Sequence, residues 1–386
     1  MEGMIATAVE TDVRVRPVRG SSDLRRFIDF PYRHYAGNPY WVAPLRRDVA
    51  HTLDPKKNAF FEHGTIHPFI AEDQSGRVVG RIAAIINGMH LKKYNDGIGF
   101  FGFFECINSE GIAFALFDAA TAWLREKGMT GVRGPTNPSL NDTAGLLTEG
   151  FDREPSILMP YNPPYYENLL TAYGFERVKT MWAYYVHKKY VQIEKLKRGV
   201  ELVRKRTPGL HIRPLDMSRF DEEAQNILRI YNDAWSKNWG HVPMTEREFA
   251  HLAKEMKQIV DPRIVFVVEH ENEPVAFSIS LPNLNQALKF VPSGRLFPAG
   301  LPQLLARSKF GGIYECRMPL MGVMLKYQGR GLDSLLILET IMEGPKYGYD
   351  ACEMSWVLDE NYRLRNALDA LGGVIDKQYA MFEKPL

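Results

Sequence analysis

Three segments of the sequence recur at a nearly constant spacing along the chain. The members of each pair share apolar, aromatic and Pro or Gly positions, and their offsets lie between 196 and 198 residues. Similarity at a fixed long period predicts that one structural unit is repeated. The paired segments are 13–18 with 210–215, 67–87 with 263–283, and 173–184 with 371–382. Because 386 residues are also enough for two domains of ordinary size, we expect two copies of one fold.

Within each copy the hydrophobic pattern predicts the same order of elements. An opening strand is followed by helices, a β-hairpin, a central strand and helix, and then a strand, a helix and a closing strand. This order is typical of the α/β (α+β) class, with a mixed, mostly antiparallel sheet flanked by helices. We predict a first domain at 1–187, a linker helix at 188–209 and a second domain at 210–386.

A glycine-containing turn in the second copy is the main candidate for a binding site. The apolar run 318–325 predicts a buried strand, and the Leu-rich stretch after the turn predicts a helix. The turn itself is Gln328-Gly329-Arg330-Gly331, whose glycines let an anion approach the backbone N–H groups of a helix N-terminus. Such a turn is more often purely structural, and the motifs GxxxxGK[ST] and GxGxxG are absent from the sequence. We interpret it as a pyrophosphate site in which Arg330 supplies further donors.

This turn and a second motif resemble the acyl-CoA site of the GCN5-related N-acetyltransferase (GNAT) superfamily. Gln328, Gly329 and Gly331 match its Gln-x-x-Gly-x-Gly turn, and Asn361 with Leu371-Gly372 matches its second motif. The resemblance implies two tandem acetyltransferase-like domains, with acyl-CoA as the donor and no metal. It also implies that the donor is contacted by Met321, Gly322, Val323, Gln328, Gly329, Arg330, Gly331, Leu332, Asp333, Ser334 and Asn361.

The resemblance further implies a gap in the sheet of the second copy. In this superfamily two central strands separate, and the pantetheine arm of CoA lies along their exposed backbone. The corresponding segments here are 318–325 and 351–356. We expect Gly322 to let the arm lie close, because it has no side chain.

Acyl transfer to an amine needs a base, and the leaving thiolate needs a proton. Glu353 is the first candidate for the base, because strand alternation orients it differently from its neighbours near the gap, and Glu315 is the second. Either residue can equally be an ordinary surface carboxylate. The superfamily often places a Tyr proton donor four residues before the glycine of its second motif. Because Leu368 occupies that position, Tyr379 and Tyr362 are the substitutes.

Two acidic residues depart from the expected pattern. In the first copy the corresponding segment, 106–113, has no Gln-x-x-Gly-x-Gly, and Glu110 would repel a phosphate. We therefore predict that the first copy is degenerate and does not bind CoA. In the second copy Asp333 suits the first turn of a helix but also opposes a phosphate, and Arg330 and Lys326 can compensate.

Two long segments interrupt the repeated pattern. Segment 134–166 is rich in Pro, Asn, Gly and Tyr; it is either a structural cover or, as we hypothesise, a wall of the acceptor cleft of the second domain. Segment 284–312 is apolar and broken by Pro and Gly, which suits a binding groove, a dimer contact or a packed interface. The superfamily builds its acceptor side after the opening strand, although packing alone would explain the aromatic residues found there. These residues are Tyr231, Trp235 and Trp239.

The linker predicts a basic amphipathic helix. Its apolar residues fall on one helical face, and its Lys and Arg residues outnumber its acids. Such a helix can lie on an anionic membrane, but more often it docks on the protein by its apolar side. Peripheral membrane contact is therefore one expectation for this segment.

Composition excludes several classes of protein. A net charge of +2 provides no field for nucleic acid. Three cysteines give neither a metal-ligand spacing nor a disulfide framework, which fits a reducing compartment. No run of 18 apolar residues occurs, and the segment 1–17 lacks a signal pattern. We predict a cytoplasmic protein.

Together these features predict an acyl-CoA-dependent N-acyltransferase. It would move an acetyl or longer acyl group to the amine of a small or lipid-like acceptor. The apolar insertions leave room for a long-chain enzyme acting on a sphingoid-type amine, similar to bacterial ceramide-forming N-acyltransferases of the superfamily. The alternatives are a catalytically inactive CoA-binding or regulatory protein of the same fold, suggested by Leu368 and Asp333, and a scaffold. The oligomeric state is left open.

Overall fold

The computed structural model describes residues 13–309 and 311–386, with the backbone alone for Lys309. Residues 1–12, which carry most of the segment interpreted above as lacking a signal, lie outside the described residues. The elements of the first half are β1 (Arg14–Pro17), α1 (Gly20–His34), α2 (Arg46–Thr52), β2 (Gly64–Glu72), β3 (Val78–Asn87), α3 (Gly88–Tyr94), β4 (Ile98–Cys106), α4 (Glu110–Glu126), β5 (Gly131–Gly134), β6 (Thr136–Asn137), β7 (Thr143–Ala144), β8 (Leu146–Glu149), α5 (Tyr166–Ala172) and β9 (Glu176–His187).

The linker helix and the second half repeat this order with an insertion before the central strand. Their elements are α6 (Ile193–Arg206), β10 (Leu210–Pro214), α7 (Phe220–Trp235), α8 (Glu246–Ile259), β11 (Val265–His270), β12 (Glu273–Pro282), α9 (Asn285–Leu288), α10 (Gly300–Lys309), β13 (Glu315–Val323), α11 (Leu332–Glu343), β14 (Ala351–Leu358), α12 (Tyr362–Leu371) and β15 (Val374–Pro385). In the described part of the chain, no helix is both long and apolar enough to cross a bilayer.

The central helices of the two copies, α4 and α11, pack on the sheet by the same pattern. In α4 the buried residues recur at spacings of three and four, which places them on one face. The corresponding face of α11 carries Leu332, Leu335 and Leu336, and it packs on Phe266 and Val268 of β11. The hydrophobic pattern therefore sets which side of each helix meets the sheet.

The strands of both halves form one continuous sheet. In the described residues the sheet has 13 strands, in the order β1-β2-β3-β4-β5-β15-β9-β14-β13-β12-β11-β10, with β8 also pairing to β15. Only β4 with β5 and β13 with β14 pair in parallel in this sheet as described. The predicted fold class, a mostly antiparallel mixed sheet flanked by helices, is confirmed.

The closing strands of the two halves are exchanged. Strand β9 pairs with β14, with Val186 opposite Cys352, although β9 ends the first half of the chain. Strand β15 pairs with β5, with Phe382 opposite Gly134, although β15 ends the second half. The two exchanged strands also pair with each other. The division at 187 and 210 stays a prediction, but each half completes its sheet with a strand of the other.

We expect the protein to unfold in one cooperative transition, because separating the halves requires the removal of β9 and β15 from the centre of a shared sheet. Calorimetry on the full chain provides the measurement, since equal calorimetric and van't Hoff enthalpies indicate a two-state transition. As a control, Trp123→Phe removes a tryptophan from α4 in the first half without affecting those of the second half. In either protein, a fluorescence midpoint that differs from the calorimetric midpoint of the same protein would show that the halves unfold independently.

Candidate functional site

The site begins where the two parallel central strands of the second half separate. Strands β13 and β14 are paired from Glu315 opposite Ala351 to Met318 opposite Met354, and the pairing ends there. A cavity of about 490 Å³ occupies the gap beyond this point. Its walls include Met321 of β13, and it extends to the turn before α11, the N-terminal part of α12 and the end of α7. The gap predicted between these strands is therefore present.

The glycine turn at one end of the cavity has the geometry of an anion site. Gly329 and Gly331 have φ angles of 76° and 86°, which favour glycine, and Gly331 is the N-terminal cap of α11. Gly331 has no side chain to cap the helix, and in the first turn the Asp333 carboxylate accepts from the N–H of Ser334. The N–H groups of Gly331 and Leu332, together with the helix dipole, can act on a phosphate.

The predicted donor-binding residues of the turn do not all face the cavity. Gln328, Gly329, Leu332 and Asp333 line it, as does Asn361, whose side chain also caps α12 by accepting from Leu364 N. Three others, Arg330, Gly331 and Ser334, do not line it. The lining also includes Arg363, a residue that the sequence analysis missed.

Charges around the turn favour an anion more than the sequence suggested. The Asp333 carboxylate accepts from the N–H of Ser334 at 2.9 Å, so one of its oxygens is engaged by the helix itself. Arg330 is exposed, with its guanidinium 5.2 Å from the centroid of the Tyr327 ring. Arg363 approaches Gly329 so closely that a Cβ there would lie 3.2 Å from its Nη1. Two guanidinium groups therefore flank the turn.

The reason given above for Gly322 is wrong. A Cβ at Gly322 would lie 2.7 Å from Cε1 of Phe277, so the missing side chain gives space to the core. Met321 and Val323, its neighbours on β13, line the cavity instead. Gly322 can contact a ligand only through its backbone.

The other end of the cavity is built by both halves of the chain. Tyr231 and Trp235 of α7 and Trp239 line it, together with Leu140 and Asn141 from segment 134–166 of the first half. The Tyr231 hydroxyl donates to Asn141 Oδ1 at 3.1 Å. The hypothesis that this segment forms one wall of the cleft is therefore confirmed as to its position.

His241, which the sequence analysis missed, lines the cavity beside these aromatic residues. The Lys93 ammonium donates to its Nδ1 at 3.1 Å and to its carbonyl oxygen at 2.7 Å. Because Lys has only donors, Nδ1 accepts, and the proton of the neutral ring is assigned to Nε2. Burial, together with the Lys93 charge, lowers the pKa of His241 to about 4. Nε2 has no partner among the described residues, and neither has the buried Nε1 of Trp356, another lining residue.

Glu353 lies in a buried network next to the cavity and does not itself line it. Its carboxylate accepts from Ser156 at 2.8 Å and from Ser355 at 2.7 Å, and Arg317 Nε lies 3.8 Å away. Ser355 does line the cavity, and its hydroxyl accepts from Arg317 Nε at 2.9 Å. Because Glu353 and Arg317 are both buried, removing either would leave an uncompensated charge.

The remaining candidates for acid–base roles lie elsewhere. Glu315 accepts from Tyr185 at 2.8 Å and pairs with Arg153, and it does not line the cavity. Tyr379 is buried, and its hydroxyl has no partner among the described residues. Burial, with a smaller effect of Glu353, raises the pKa of Tyr379 well above its usual value, so the hydroxyl stays protonated. Tyr362 is exposed at the start of α12.

The corresponding gap in the first half is filled by the chain itself. Strands β4 and β5 are paired only as far as Phe100 and Arg133. Beyond this point the Phe103 N–H donates to Asn137 Oδ1 at 2.6 Å, and a Cβ at Gly102 would overlap the Thr136 carbonyl. Segment 136–137 therefore occupies the space that is open in the second half, which favours the degenerate first copy that the sequence predicts.

One group of side chains has the composition of a metal site. His51, His251 and Glu255 offer ligand atoms within 4.8 Å of one another, and none of them lines the cavity. The three cysteines are free and buried. The absence of a metal from the reaction stays a prediction.

Comparison with known proteins places the chain in a class. No family model matches it. Among solved structures, the tandem GNAT protein from the clavulanic acid biosynthesis pathway superposes with a TM-score of 0.57 at 12% identity, over 97% of this chain and 98% of its own. The GCN5-related N-acetyltransferase from Sphaerobacter thermophilus gives 0.51 at 11% identity, over 97% and 95%. The protein therefore has the tandem GNAT fold, as its sequence predicts.

Two curated relatives match nearly the whole sequence. The bacterial ceramide synthase of Caulobacter vibrioides (strain NA1000 / CB15N) is 36% identical over 388 residues, which cover 98% of this chain and 99% of the relative. Protein YghO of Escherichia coli (strain K12) is 34% identical over 377 residues, covering 96% and 95%. The chain belongs to the family of these two proteins.

We expect the stability of the native protein to depend on the neutral state of His241. Its native pKa is about 4 against a usual value of 6.5, so between these values the unfolded state binds more protons. Stability attributable to this residue is therefore lost as the pH falls from about 6.5 towards 4. The measurement is the Tm of the wild type and of His241→Phe at several pH values across this window. The variant should lose less stability on acidification, and an identical pH dependence would contradict the assignment.

Proposed function

We propose that this N-acyltransferase moves an acyl group from acyl-CoA to the amine of a lipid-like acceptor in the cavity between β13 and β14. The observation that carries the proposal is the open gap, with the glycine turn and the N-terminus of α11 at one end and a wall of aromatic residues at the other. An anionic, extended donor and an apolar acceptor can meet in such a space. Acetyl-CoA and longer acyl-CoA are both compatible with the donor end.

The donor would lie along the strand edge that the gap exposes. Its pyrophosphate would meet the N–H groups at Gly331 and Leu332, with Arg330 and Arg363 as flanking cations. The pantetheine arm would run past the backbone of 321–323, whose other edge is paired with β12. The thioester would then reach the region of Ser355 and Trp356.

The cavity contains groups suited to the chemistry at the thioester carbonyl. The amine nitrogen attacks the carbonyl carbon, an oxyanion forms, and the CoA thiolate leaves with a proton. The free N–H groups of His241 and Trp356 are suited to stabilising the developing oxyanion, because neutral donors fixed in a desolvated site need little reorganisation. The neutrality of His241 suits it to this role.

For the base we retain Glu353 and propose that it acts through Ser355. The hydroxyl of Ser355 donates to Glu353 and accepts from Arg317 Nε, which leaves one lone pair for the amine. The amine proton would pass to Ser355 Oγ while the hydroxyl proton moves to Glu353. Tyr379 remains the proposed source of the thiolate proton, on the basis of its protonated state.

A sphingoid-type amine is the specific acceptor that we favour. The name of the relative from Caulobacter vibrioides supports it, and so does the aromatic wall of the cavity. A catalytically inactive CoA-binding protein remains the alternative, and turnover with any amine would exclude it.

Peripheral membrane contact remains part of the proposal, as does a cytoplasmic location. Helix α6 is docked by its apolar side, where Val200 and Val203 pack on α11. Most of its basic residues are exposed, including Lys195, Arg198 and Arg204. A Cβ at Gly331 would lie 2.6 Å from Val203, so this helix abuts the anion turn. Co-sedimentation with anionic vesicles would test whether the exposed basic side binds a membrane.

We expect Gln328→Glu to weaken CoA binding roughly a hundredfold. A carboxylate about 6 Å from a phosphate costs about 3 kcal/mol at an effective dielectric constant of about 20. The matched control is Asn108→Asp, an exposed amide-to-acid change just before α4 in the first half. Isothermal titration of the full chain with CoA gives both affinities. Equal losses in the two variants would refute a single donor site in the second half.

Three further variants separate the proposed base from the oxyanion donor. Glu353→Gln should lower kcat by about 10²–10⁴-fold, the usual contribution of a general base. His241→Phe should lower kcat by about 10²–10³-fold, and His241→Gln should recover part of the loss because it keeps an N–H donor. The measurements are single-turnover rates and the CoA affinity, which should be unchanged in all three variants. Wild-type kcat in folded Glu353→Gln would exclude the relay through Ser355.

A further inference from the structure

A second cavity adjoins the first on the side away from the anion turn. Its volume is about 170 Å³, and it lies between helices α7 and α8 and strands β11, β12 and β13. The anion-turn residues that line the first cavity do not line the second. We call it the apolar chamber. The residues that line both cavities are Leu140, Asn141, Tyr231, Trp235, Pro319 and Trp356.

The lining of the chamber is almost entirely hydrocarbon. Helix α7 contributes Ile227, and α8 contributes Phe249, Leu252, Ala253 and Met256. The last three are only partly buried although they face the body of the protein. An engineered apolar cavity of about 150 Å³ stays dry and binds small hydrocarbons, so a chamber of this kind favours an apolar occupant.

Most polar groups of the lining are engaged within the protein, and an exception is Trp356 Nε1 at the border with the first cavity. Arg317 donates to the Ile157 carbonyl at 3.0 Å and to Ser355. Asp142 accepts from the Ser139 hydroxyl at 2.6 Å. Asn141 Nδ2 donates to the Val242 carbonyl at 3.0 Å, and its Oδ1 accepts from Tyr231. These bonds orient the polar groups towards protein partners and leave a lining suited to a ligand with no polar atoms.

Helix α8, which forms one wall of the chamber, is held in place by contacts from both halves of the chain. A capping box between Thr245 and Glu248 starts the helix. Glu248 also accepts from His63 Nε2 of the first half at 2.9 Å. Leu140 and Leu158 of the first half complete the lining. Residues of both halves therefore build the chamber and hold its α8 wall in position.

We propose that the apolar chamber binds the alkyl chain of a long-chain substrate while its reacting end lies at Ser355 and Trp356. This assignment rests on the proposed function, because it uses the same reaction centre. The chain enters past Trp356 and Pro319, which border both cavities. It belongs either to the acyl group of the donor or to the amine, and the chamber recognises the same chemistry in both cases.

Chain length then determines affinity. Burying one methylene contributes about 0.8 kcal/mol, so each methylene that enters the chamber raises the association constant about fourfold. The increase stops when the chamber is full. A substitution that fills the chamber therefore removes the gain from long chains and leaves the binding of short ligands unchanged.

The experiment compares the binding of short and long probes to the full chain by isothermal titration. The donor arm uses acetyl-CoA and decanoyl-CoA, and the acceptor arm uses propylamine and decylamine in the presence of CoA. Ala253→Phe fills the chamber from α8, and Met256→Gln places an amide in it. The control is Ala306→Phe, an exposed position on α10 that lines neither cavity. Thermal unfolding confirms that each variant is folded.

We expect one long probe to bind the wild type and Ala306→Phe at least about tenfold more tightly than its short counterpart. Ala253→Phe and Met256→Gln should reduce this ratio towards one, and the arm that responds identifies the source of the chain. Equal binding of long and short probes to the wild type overturns the proposal, as does a ratio that survives both variants. If CoA binds but no amine is acylated, the proposed function fails, while the chain-length ratios still decide whether the chamber binds an alkyl chain.

Discussion

The site depends on the point at which β13 and β14 stop pairing. Separating two central strands exposes backbone N–H and C=O groups that a sheet would otherwise satisfy. Here each strand keeps a partner on its outer edge: β12 pairs with β13, and β9 pairs with β14. The two strands are therefore fixed on both sides of the gap. A ligand with an extended amide backbone can supply the bonds that are missing inside it.

Strand exchange is what gives β14 its outer partner. Because β9 belongs to the first half, the outer edge of β14 is paired with a strand of the other copy. The first half receives β15 in return. The gap of the second half is thus not a property of that half alone. It exists in a sheet that both halves share.

The first half has kept its structural contributions while its own gap is closed. Thr136 and Asn137 fill the space beside β4, yet the same segment continues to Leu140 and Asn141 in the wall of the cavity between β13 and β14. Lys93 fixes the tautomer of His241, and Ser156 donates to Glu353. These contacts explain how the gap of the first half can be closed while that half is still required for the geometry of the second.

The sequence predicts the local elements and the repeat well, because both depend on short-range patterns. The turn at Gln328 lies where its glycines place it, and the strands predicted at 318–325 and 351–356 are found at Glu315–Val323 and Ala351–Leu358. The exchange of β9 and β15 leaves no local signal, because two similar strands satisfy either partner equally well. Lys93 and His241 are 148 residues apart, and no spacing rule relates them. Gly322 shows a different error, because its missing side chain makes room for Phe277 of the core and not for a ligand.

The buried pair of Glu353 and Arg317 connects the two cavities. Arg317 borders the apolar chamber, and Ser355, which it contacts, borders the cavity between β13 and β14. Burying such a pair among hydrocarbon side chains is costly unless every donor and acceptor is satisfied. Here Ser156, Ser355 and the Ile157 carbonyl provide those bonds, and two of these three groups come from the first half. The same contacts that satisfy the buried pair also fix Ser355 between the apolar chamber and the cavity between β13 and β14. Under the proposed function, an amine on a long chain would react at this position.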